Sequence, residues 1–241
     1  MFRLFSVAID LDVPVGLKTS DLVADLAAND EQGLLSDVDA GNRFLEVLTD
    51  VRDRATPSRL EQMQDLGLLG ALMPEWAPVA GRVQHDVYHV YTVDQHSLYA
   101  VALMKALARN DRADEYPAAT EEFGLVQRKV ALFVATFLHD VGKPLGKNHS
   151  ARGAVIAVAI AQRLGLSPQD VQRVEFLVLQ HLTMGHLSQR RDLEDLGLIA
   201  QFARVCEDEE GLRELFLLTL CDLVSVGPGN LTSWKDELRL R

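Results

Sequence analysis

The chain has 241 residues, 48% hydrophobic and 24% charged, a composition that favours a folded globular protein over a disordered one. Its formal net charge of -11 at pH 7 opposes broad binding to a nucleic-acid backbone, which needs clustered Lys and Arg, so we expect no nucleic-acid partner. The longest apolar runs, 131–138 and 154–161, are far shorter than the roughly 20 residues of a membrane span, and no secretory signal pattern opens the chain, so we expect a cytoplasmic protein with no membrane partner.

Helical periodicity recurs along the chain without sustained alternation of apolar and polar residues, which predicts an all-α fold. Thr56 before Pro57 has the pattern of an N-cap followed by a first-turn proline, and Ser167 before Pro168, with Asp170 following, repeats it. Two helices are therefore predicted to begin at these places.

The middle of the chain contains a predicted surface loop followed by a predicted core helix. The loop is 109–120, which is charged and proline-containing, and the helix is 125–140, which ends before Gly142. His139 and Asp140 thus fall at the C-terminal end of a buried helix, beside a turn. The apolar stripe that predicts this helix consists of Val130, Phe133, Val134, Phe137 and Leu138.

Two later helices are predicted to carry a titratable group where an apolar residue would be expected. His181 follows the stripe Val171, Val174 and Val178, and Asp222 follows Leu215 and Leu218. Such groups cost several kcal/mol in a core unless they are paired or bound to metal, and a shared metal ion would satisfy both. The two cysteines, Cys206 and Cys221, lie in apolar helical segments and are expected to be reduced core thiols.

Imidazole and carboxylate groups suit first-row divalent metals, and a mixed set favours a catalytic site over a purely structural one. A separate H-D-x-x-H run at His85, Asp86 and His89 has two histidines at helical spacing, but no third ligand is obvious there. The candidate metal ligands are His96, His139, Asp140, His149, His181 and Asp222.

Four separated stretches agree, in order, with one known family. The chain resembles the HD phosphohydrolase superfamily, and more closely the HD domain of the bifunctional uridylyltransferase/uridylyl-removing enzymes of bacterial nitrogen regulation. The stretches are HVYTVDQHSL (89–98), HDVGKPLGKNHSARGA (139–154), QHLTMGHLSQRRD (180–192) and TLCDLVSVGPGNLTSWKDEL (219–238).

The resemblance implies an all-α HD-domain helical bundle with an N-terminal helical extension, divided as 1–75 and 76–241. It implies a metal-dependent phosphodiesterase that removes UMP from a modified tyrosine of the PII signalling protein. His96, His139, Asp140 and Asp222 match the superfamily's metal ligands, and His149 and His181 match the added histidines of two-metal members. One or two divalent ions are therefore expected, with Mn2+ or Mg2+ favoured and iron or zinc as alternatives.

The residues beside these ligands suggest how a phosphate would be held. Asp140 and Lys143 are the predicted catalytic pair, because the lysine can neutralise charge on the phosphate oxygens. Arg190, Arg191 and His89, together with Lys143, are the predicted substrate contacts. Hydrolysis is expected to proceed by direct attack of water, without a covalent enzyme intermediate.

The family's nucleotidyltransferase and ACT domains have no counterpart in this sequence. The paired aspartates at 10 and 12 and at 37 and 39 lack the Gly-Ser motif that precedes such a pair in that domain. The chain is therefore expected to be the HD portion of a longer protein or a stand-alone relative. Two other functions stay open, which are hydrolysis of a free nucleotide by an HD nucleotidase or phosphodiesterase, and a non-catalytic regulatory HD module.

Overall fold

The computed structural model of the chain describes residues 1–29, 34, 37–83, 90–188 and 196–226. These residues form 12 α-helices, two short 3₁₀ helices and no strand, which confirms the predicted all-α fold. None of the helices in the described ranges is long and apolar enough to cross a bilayer. The α-helices are α1 (Phe2–Asp10), α2 (Leu17–Asn29), α3 (Val38–Thr49), α4 (Arg59–Asp65), α5 (Leu68–Leu72), α6 (Val93–Ala108), α7 (Pro117–Leu125), α8 (Lys129–Leu138), α9 (His149–Arg163), α10 (Pro168–Ser188), α11 (Leu196–Cys206) and α12 (Glu209–Ser225), and the 3₁₀ helices are Pro74–Trp76 and Lys143–Leu145.

Helix α8 lies at the centre of the core and packs against α3, α6, α9, α10 and α12. Every side chain from Ala131 to Leu138 is buried, so the helix is apolar all round, as an enclosed helix must be. The predicted one-sided stripe was therefore wrong at Val130, which is exposed. The predicted start at Leu125 was also wrong. Leu125 ends α7, and the chain turns there because the amide of Gln127 donates to Glu210 Oε1 (2.7 Å) instead of to a helical carbonyl.

The first predicted helix start was two residues too early. Helix α4 begins at Arg59, and its N-cap is Ser58 rather than Thr56. The Ser58 hydroxyl accepts from the amide of Glu61 (3.2 Å), and the Glu61 carboxylate accepts from the amide of Ser58 (2.7 Å). This reciprocal capping box satisfies two helix-end amides at once, which a single threonine cap cannot do.

The second predicted start is confirmed, because Ser167 Oγ accepts from the amide of Asp170 (3.2 Å) at the beginning of α10. The predicted loop at 109–120 is shorter than expected. Its last four residues form the first turn of α7, where Pro117 occupies the first helical position and has no amide hydrogen to leave unpaired.

Aromatic side chains join the N-terminal helices to the rest of the core. The ring of Phe44 on α3 contacts Phe137 on α8 with 5.6 Å between centroids, and Phe137 also stacks at 4.2 Å on Trp76, which lies just after the predicted boundary. The predicted regions 1–75 and 76–241 therefore share one hydrophobic core. The boundary between them stays a prediction.

Both cysteines are free and buried, as predicted. A buried carboxyl on the same helix as Cys221 was not anticipated. Glu214 on α12 is 0% exposed, and neither of its carboxylate oxygens has a hydrogen bond among the described residues, although Arg173 Nε lies 3.2 Å from Oε2. Burial raises the pKa of Glu214 to about 8, against the opposing effect of Arg173 and with smaller effects from Glu210, Asp208 and Arg128.

The raised pKa of Glu214 makes the stability of the protein depend on pH. Because the folded protein holds the Glu214 proton more tightly than the unfolded chain does, the contribution of Glu214 to stability is lost as the pH rises from about 4.5 to about 8. Glu214→Gln should therefore raise the free energy of unfolding at pH 8 by on the order of 2 kcal/mol or more, with little change at pH 5. Urea unfolding of both proteins at the two pH values measures this. An equal effect of the substitution at pH 5 and pH 8 would contradict the assignment.

Candidate metal centre

The His139-Asp140 pair lies just beyond the C-terminal end of α8, where the chain leaves the helix in a turn. The turn is closed by hydrogen bonds from the amide of Val141 to the carbonyl of Leu138 (3.0 Å) and from the amide of Lys143 to the carbonyl of Asp140 (3.0 Å). Side chains of adjacent helical residues point roughly 100° apart, but here His139 Nε2 lies 3.2 Å from Asp140 Oδ2. The helix end lets the two side chains converge, as the sequence predicted.

Four side chains from α6, the α8 turn and α12 form a first donor group. Their ligand atoms all lie within 4.8 Å of one another. His96 Nε2 is 2.9 Å from Asp222 Oδ1 and 3.1 Å from His139 Nε2. His96, His139 and Asp140 are buried, whereas Asp222 is partly exposed. The members of this group are His96, His139, Asp140 and Asp222.

A second donor group shares Asp140 with the first and adds one histidine each from α9 and α10. Its ligand atoms also lie within 4.8 Å of one another. The Nε2 atoms of His149 and His181 are each 3.7 Å from Asp140 Oδ1. Oδ2 of the same carboxylate faces His139. Asp140 therefore presents one oxygen to each group, and all six predicted ligands are brought together.

Backbone carbonyls fix the orientation of two of the imidazoles. His139 Nδ1 donates to the carbonyl of Thr136 (2.8 Å), and His181 Nδ1 donates to the carbonyl of Val178 (2.7 Å). Because Nδ1 carries a proton that is donated to the backbone, Nε2 is the atom of each ring that faces the other donors. This is the arrangement by which proteins set the tautomer of a metal-binding histidine.

Ser225 orients a third imidazole. This serine was not among the site residues predicted from the sequence. Its hydroxyl lies 3.1 Å from His96 Nδ1 and donates to the carbonyl of Asp222 (3.0 Å). Because Ser225 Oγ donates its own proton to that carbonyl, it can accept a hydrogen bond from His96 Nδ1. His96 Nε2 then faces Asp222 and His139. A hydroxyl three residues after a helical carboxylate ligand was the signal available in the sequence.

The donor set fits a divalent metal ion. Asp140 Oδ1, His149 Nε2 and His181 Nε2 are buried atoms that have no hydrogen-bond partner within the part of the chain that the structure describes. Leaving such atoms unpaired costs roughly 1–3 kcal/mol each, and a cation held between them would satisfy all three. Mixed nitrogen and oxygen donors suit first-row divalent ions. The described residues therefore contain a His/Asp cluster that could hold a divalent metal.

The protonation of the cluster follows from its charges. Burial raises the pKa of Asp140 and Asp222, but His139 outweighs burial and holds both well below their usual range. Burial disfavours protonation of His139, yet Asp140 and Asp222 raise its pKa. For His149 and His181 burial prevails and lowers the pKa. At neutral pH the second group is therefore a carboxylate with two neutral imidazoles, the protonation state that binds metals.

The predicted phosphate contact, Lys143, lies at the edge of the cluster. Its Nζ is 2.5 Å from Asp140 Oδ2, and its side chain is 14% exposed. The predicted substrate contacts Arg190, Arg191 and His89, and with His89 the H-D-x-x-H run, lie outside the described residues.

Gly142 and Gly153 let α9 pack closely against the turn that carries His139 and Asp140, which we call the HD turn. A Cβ on Gly142 would lie 2.1 Å from the carbonyl oxygen of His149 and 2.6 Å from the amide nitrogen of Gly153, both backbone atoms. The φ of Gly142 is -82°, an angle that any residue can adopt, so the need for glycine is one of space alone. This contact holds the first turn of α9, and with it His149, beside Asp140.

Gly142→Ala is therefore expected to displace α9 and to weaken the second donor group more than the first. The substitution should cost about 1–3 kcal/mol, as overpacking does, and should lower the number of metal ions bound per chain. Metal analysis after dialysis and a urea unfolding curve measure the two effects. Gly124→Ala is the matched control, because no atom of the described ranges lies within 4 Å of its added Cβ. Wild-type metal content in Gly142→Ala would show that the contact does not position His149.

Comparison with known proteins gives the same family that the motifs indicated. Residues 93–212 match the HD domain family. That range contains every clustered residue from His96 to His181 and ends before Asp222, which the fold brings to the cluster from α12.

Three similar proteins are bifunctional uridylyltransferase/uridylyl-removing enzymes. The one from Novosphingobium aromaticivorans is 36% identical over 238 residues, which cover 99% of this chain and 26% of the relative. The one from Azospirillum brasilense is 34% identical, covering 99% and 25%, and the one from Bordetella avium is 39% identical over 195 residues, covering 81% and 22%. The chain spans about a quarter of the length of these curated relatives.

Proposed function

The chain belongs to the HD domain family, and from that premise we propose that it is a metal-dependent phosphodiester hydrolase that removes UMP from the uridylylated PII signalling protein. The observation that carries the proposal is the pair of donor groups sharing Asp140. The relatives that match almost the whole chain are called uridylyl-removing enzymes, which supports the choice of substrate.

The residues that would hold the metal are His96, His139, Asp140 and Asp222 for one ion, with Asp140, His149 and His181 for a second. We propose Mn2+ or Mg2+, with iron or zinc as alternatives. A bound divalent ion lowers the pKa of a coordinated water toward neutrality and polarises a phosphoryl oxygen.

The chain's own side chains supply the remaining roles. We propose that Lys143 neutralises charge that develops on the phosphate, a role supported by the position of its ammonium at the edge of the cluster, 2.5 Å from Asp140 Oδ2. Asp140 serves both donor groups and is the proposed catalytic carboxylate. A leaving phenol has a pKa of about 10, so it needs less protonation than an alkoxide would. His89, Arg190 and Arg191 complete the proposed substrate contacts.

We also propose that the chain works within a longer polypeptide that carries nucleotidyltransferase and ACT domains. Support comes from the lengths of the relatives, of which the chain covers about a quarter. The proposed location is the cytoplasm, and the buried free thiols Cys206 and Cys221 fit a reducing compartment.

The experiment that tests the function compares substrates. The purified chain with Mn2+ is given uridylylated PII, free UMP and a cyclic nucleotide, and product release is followed by chromatography. The proposal expects UMP release from the protein at a kcat/KM well above that for the free nucleotides. Turnover of free nucleotides with none on the protein would instead identify an HD nucleotidase, and binding without turnover of any substrate would identify a regulatory module.

A further inference from the structure

The segment that follows the HD pair differs in charge from the rest of the protein. The chain has 35 acidic residues among its 241, yet no aspartate or glutamate lies between Asp140 and Asp170. The same segment contains Lys143, Lys147 and Arg152 near its beginning. A strongly acidic protein thus has a locally basic stretch immediately beside its candidate metal centre.

The outer side of this segment is exposed and largely apolar. Val155 is 71% exposed and Leu145 is 48% exposed. Ala151 and Ala159, one turn to either side of Val155, are also exposed, whereas the opposite side of α9 packs against α10. We call this surface the α9 face, and it consists of Leu145, Lys147, Ala151, Arg152, Val155 and Ala159.

The α9 face begins beside the cluster. Helix α9 begins at His149, whose Nε2 is 3.7 Å from Asp140 Oδ1. A helix rises about 1.5 Å per residue, so Val155 lies roughly 9 Å along the axis from His149. A protein whose phosphodiester lies at the cluster is large enough to reach this face, whereas a free nucleotide is too small to cover it.

The two cations of the face are available to a partner. Within the described ranges, neither Lys147 nor Arg152 forms an ion pair with an acidic residue. Arg152 Nη1 donates to the carbonyl of Leu145 (2.6 Å), which fixes the turn and leaves the other guanidinium N–H groups unused. Pairing two copies of this chain through the face would bring like charges together, which disfavours a symmetric dimer.

We propose that the α9 face docks the protein that carries the phosphodiester, through a complementary surface with an apolar side chain and aspartate or glutamate residues. The inference rests on the proposed function, because it assumes that the substrate is a modified protein. Apolar contact at Val155 and Leu145 would supply affinity, and Lys147 and Arg152 would supply orientation and a faster encounter.

The test measures KM and kcat on two substrates, uridylylated PII and the small diester bis(4-nitrophenyl) phosphate, for Val155→Glu and Arg152→Glu. Docking predicts that KM for the protein rises roughly 10-fold or more, as loss of a central interface contact does, while kcat and hydrolysis of the small diester stay within about 2-fold. Leu22→Glu is the matched control, because Leu22 is 58% exposed on α2, outside the α9 face. Circular dichroism verifies that each variant is folded.

The outcomes of this experiment distinguish the docking proposal from the proposed function. An unchanged KM for the protein in both variants, with the wild type active on it, overturns the docking proposal and leaves the proposed function intact. An equal loss on both substrates also overturns docking, since it places the effect in the catalytic centre. Wild-type hydrolysis of the small diester without UMP release from the protein overturns the proposed function, and the docking proposal with it.

Discussion

Asp140→Asn is expected to abolish metal binding and hydrolysis together. Among the described residues, Asp140 alone belongs to both donor groups, with one oxygen facing His139 and the other facing His149 and His181. Asparagine keeps the shape but replaces one oxygen with an NH2 group that cannot bind a metal. We expect kcat/KM for UMP release to fall by at least about 10³-fold, or about 4 kcal/mol of transition-state stabilisation.

The matched control for this substitution is Asp53→Asn. Asp53 is also a buried aspartate, but its carboxylate pairs with Lys105 (3.7 Å) and accepts from the amide of Arg59 (2.9 Å), apart from the clustered residues. Asp53→Asn should cost stability and leave the metal content per chain unchanged. Full metal content and full activity in Asp140→Asn would contradict the assignment of the cluster.

Divalent metal is expected to raise the melting temperature by about 5–10 °C. An ion that binds the folded chain alone stabilises it by about 2.7 kcal/mol at a concentration of 100 times Kd. For a chain of this size each kcal/mol corresponds to about 2–4 °C. The physical reason is that the cluster holds two carboxylates close together and that, among the described residues, Nε2 of His149 and Nε2 of His181 have no hydrogen-bond partner, so a cation relieves both the repulsion and the lack of partners.

Thermal unfolding of the chelated chain, followed by circular dichroism with added Mn2+, Mg2+, Zn2+ or Fe2+, measures this shift. Excess chelator should reverse it, and Asp140→Asn should reduce it sharply. A melting temperature that none of the four ions changes would show that the cluster binds no metal in the folded state.

Four of the six clustered side chains carry a local signal in the sequence, whereas His96 and His149 were predicted from their residue type and from the resemblance to the HD family. His181 and Asp222 stand at core positions of otherwise apolar helical stripes, and burial there demands a partner. The His139-Asp140 pair was recognisable at the end of an apolar segment. The all-α class followed from periodicity, which reflects burial of one helical side and does not depend on long-range contacts.

Other features depend on contacts between residues distant in the chain, and periodicity carries no information about these. The close approach of Gly142 to Gly153 needs the path of α9 relative to the HD turn. The position of Ser225 behind His96 depends on the packing of α12 against α6. The sharing of Asp140 between two donor groups is likewise a property of the assembled helices.

The predicted starts of α4 and α8 were misplaced because of hydrogen bonds near the helix ends. The start of α4 was misplaced because the cap at Ser58 is a reciprocal pair with Glu61, and Thr56-Pro57 imitates a weaker version of the same signal. The core helix was predicted to be too long because the apolar pattern continues across the turn at Gln127, where a hydrogen bond to Glu210 ends one helix before the next begins.

The most direct test of a metal-dependent hydrolytic centre is UMP release from uridylylated PII by the chelated chain as Mn2+ is added back. We predict no release from the chelated chain, and release that rises with added metal and saturates as the cluster fills. Equal UMP release before and after chelation, or none at full metal occupancy, would contradict the proposal that this cluster hydrolyses the phosphodiester.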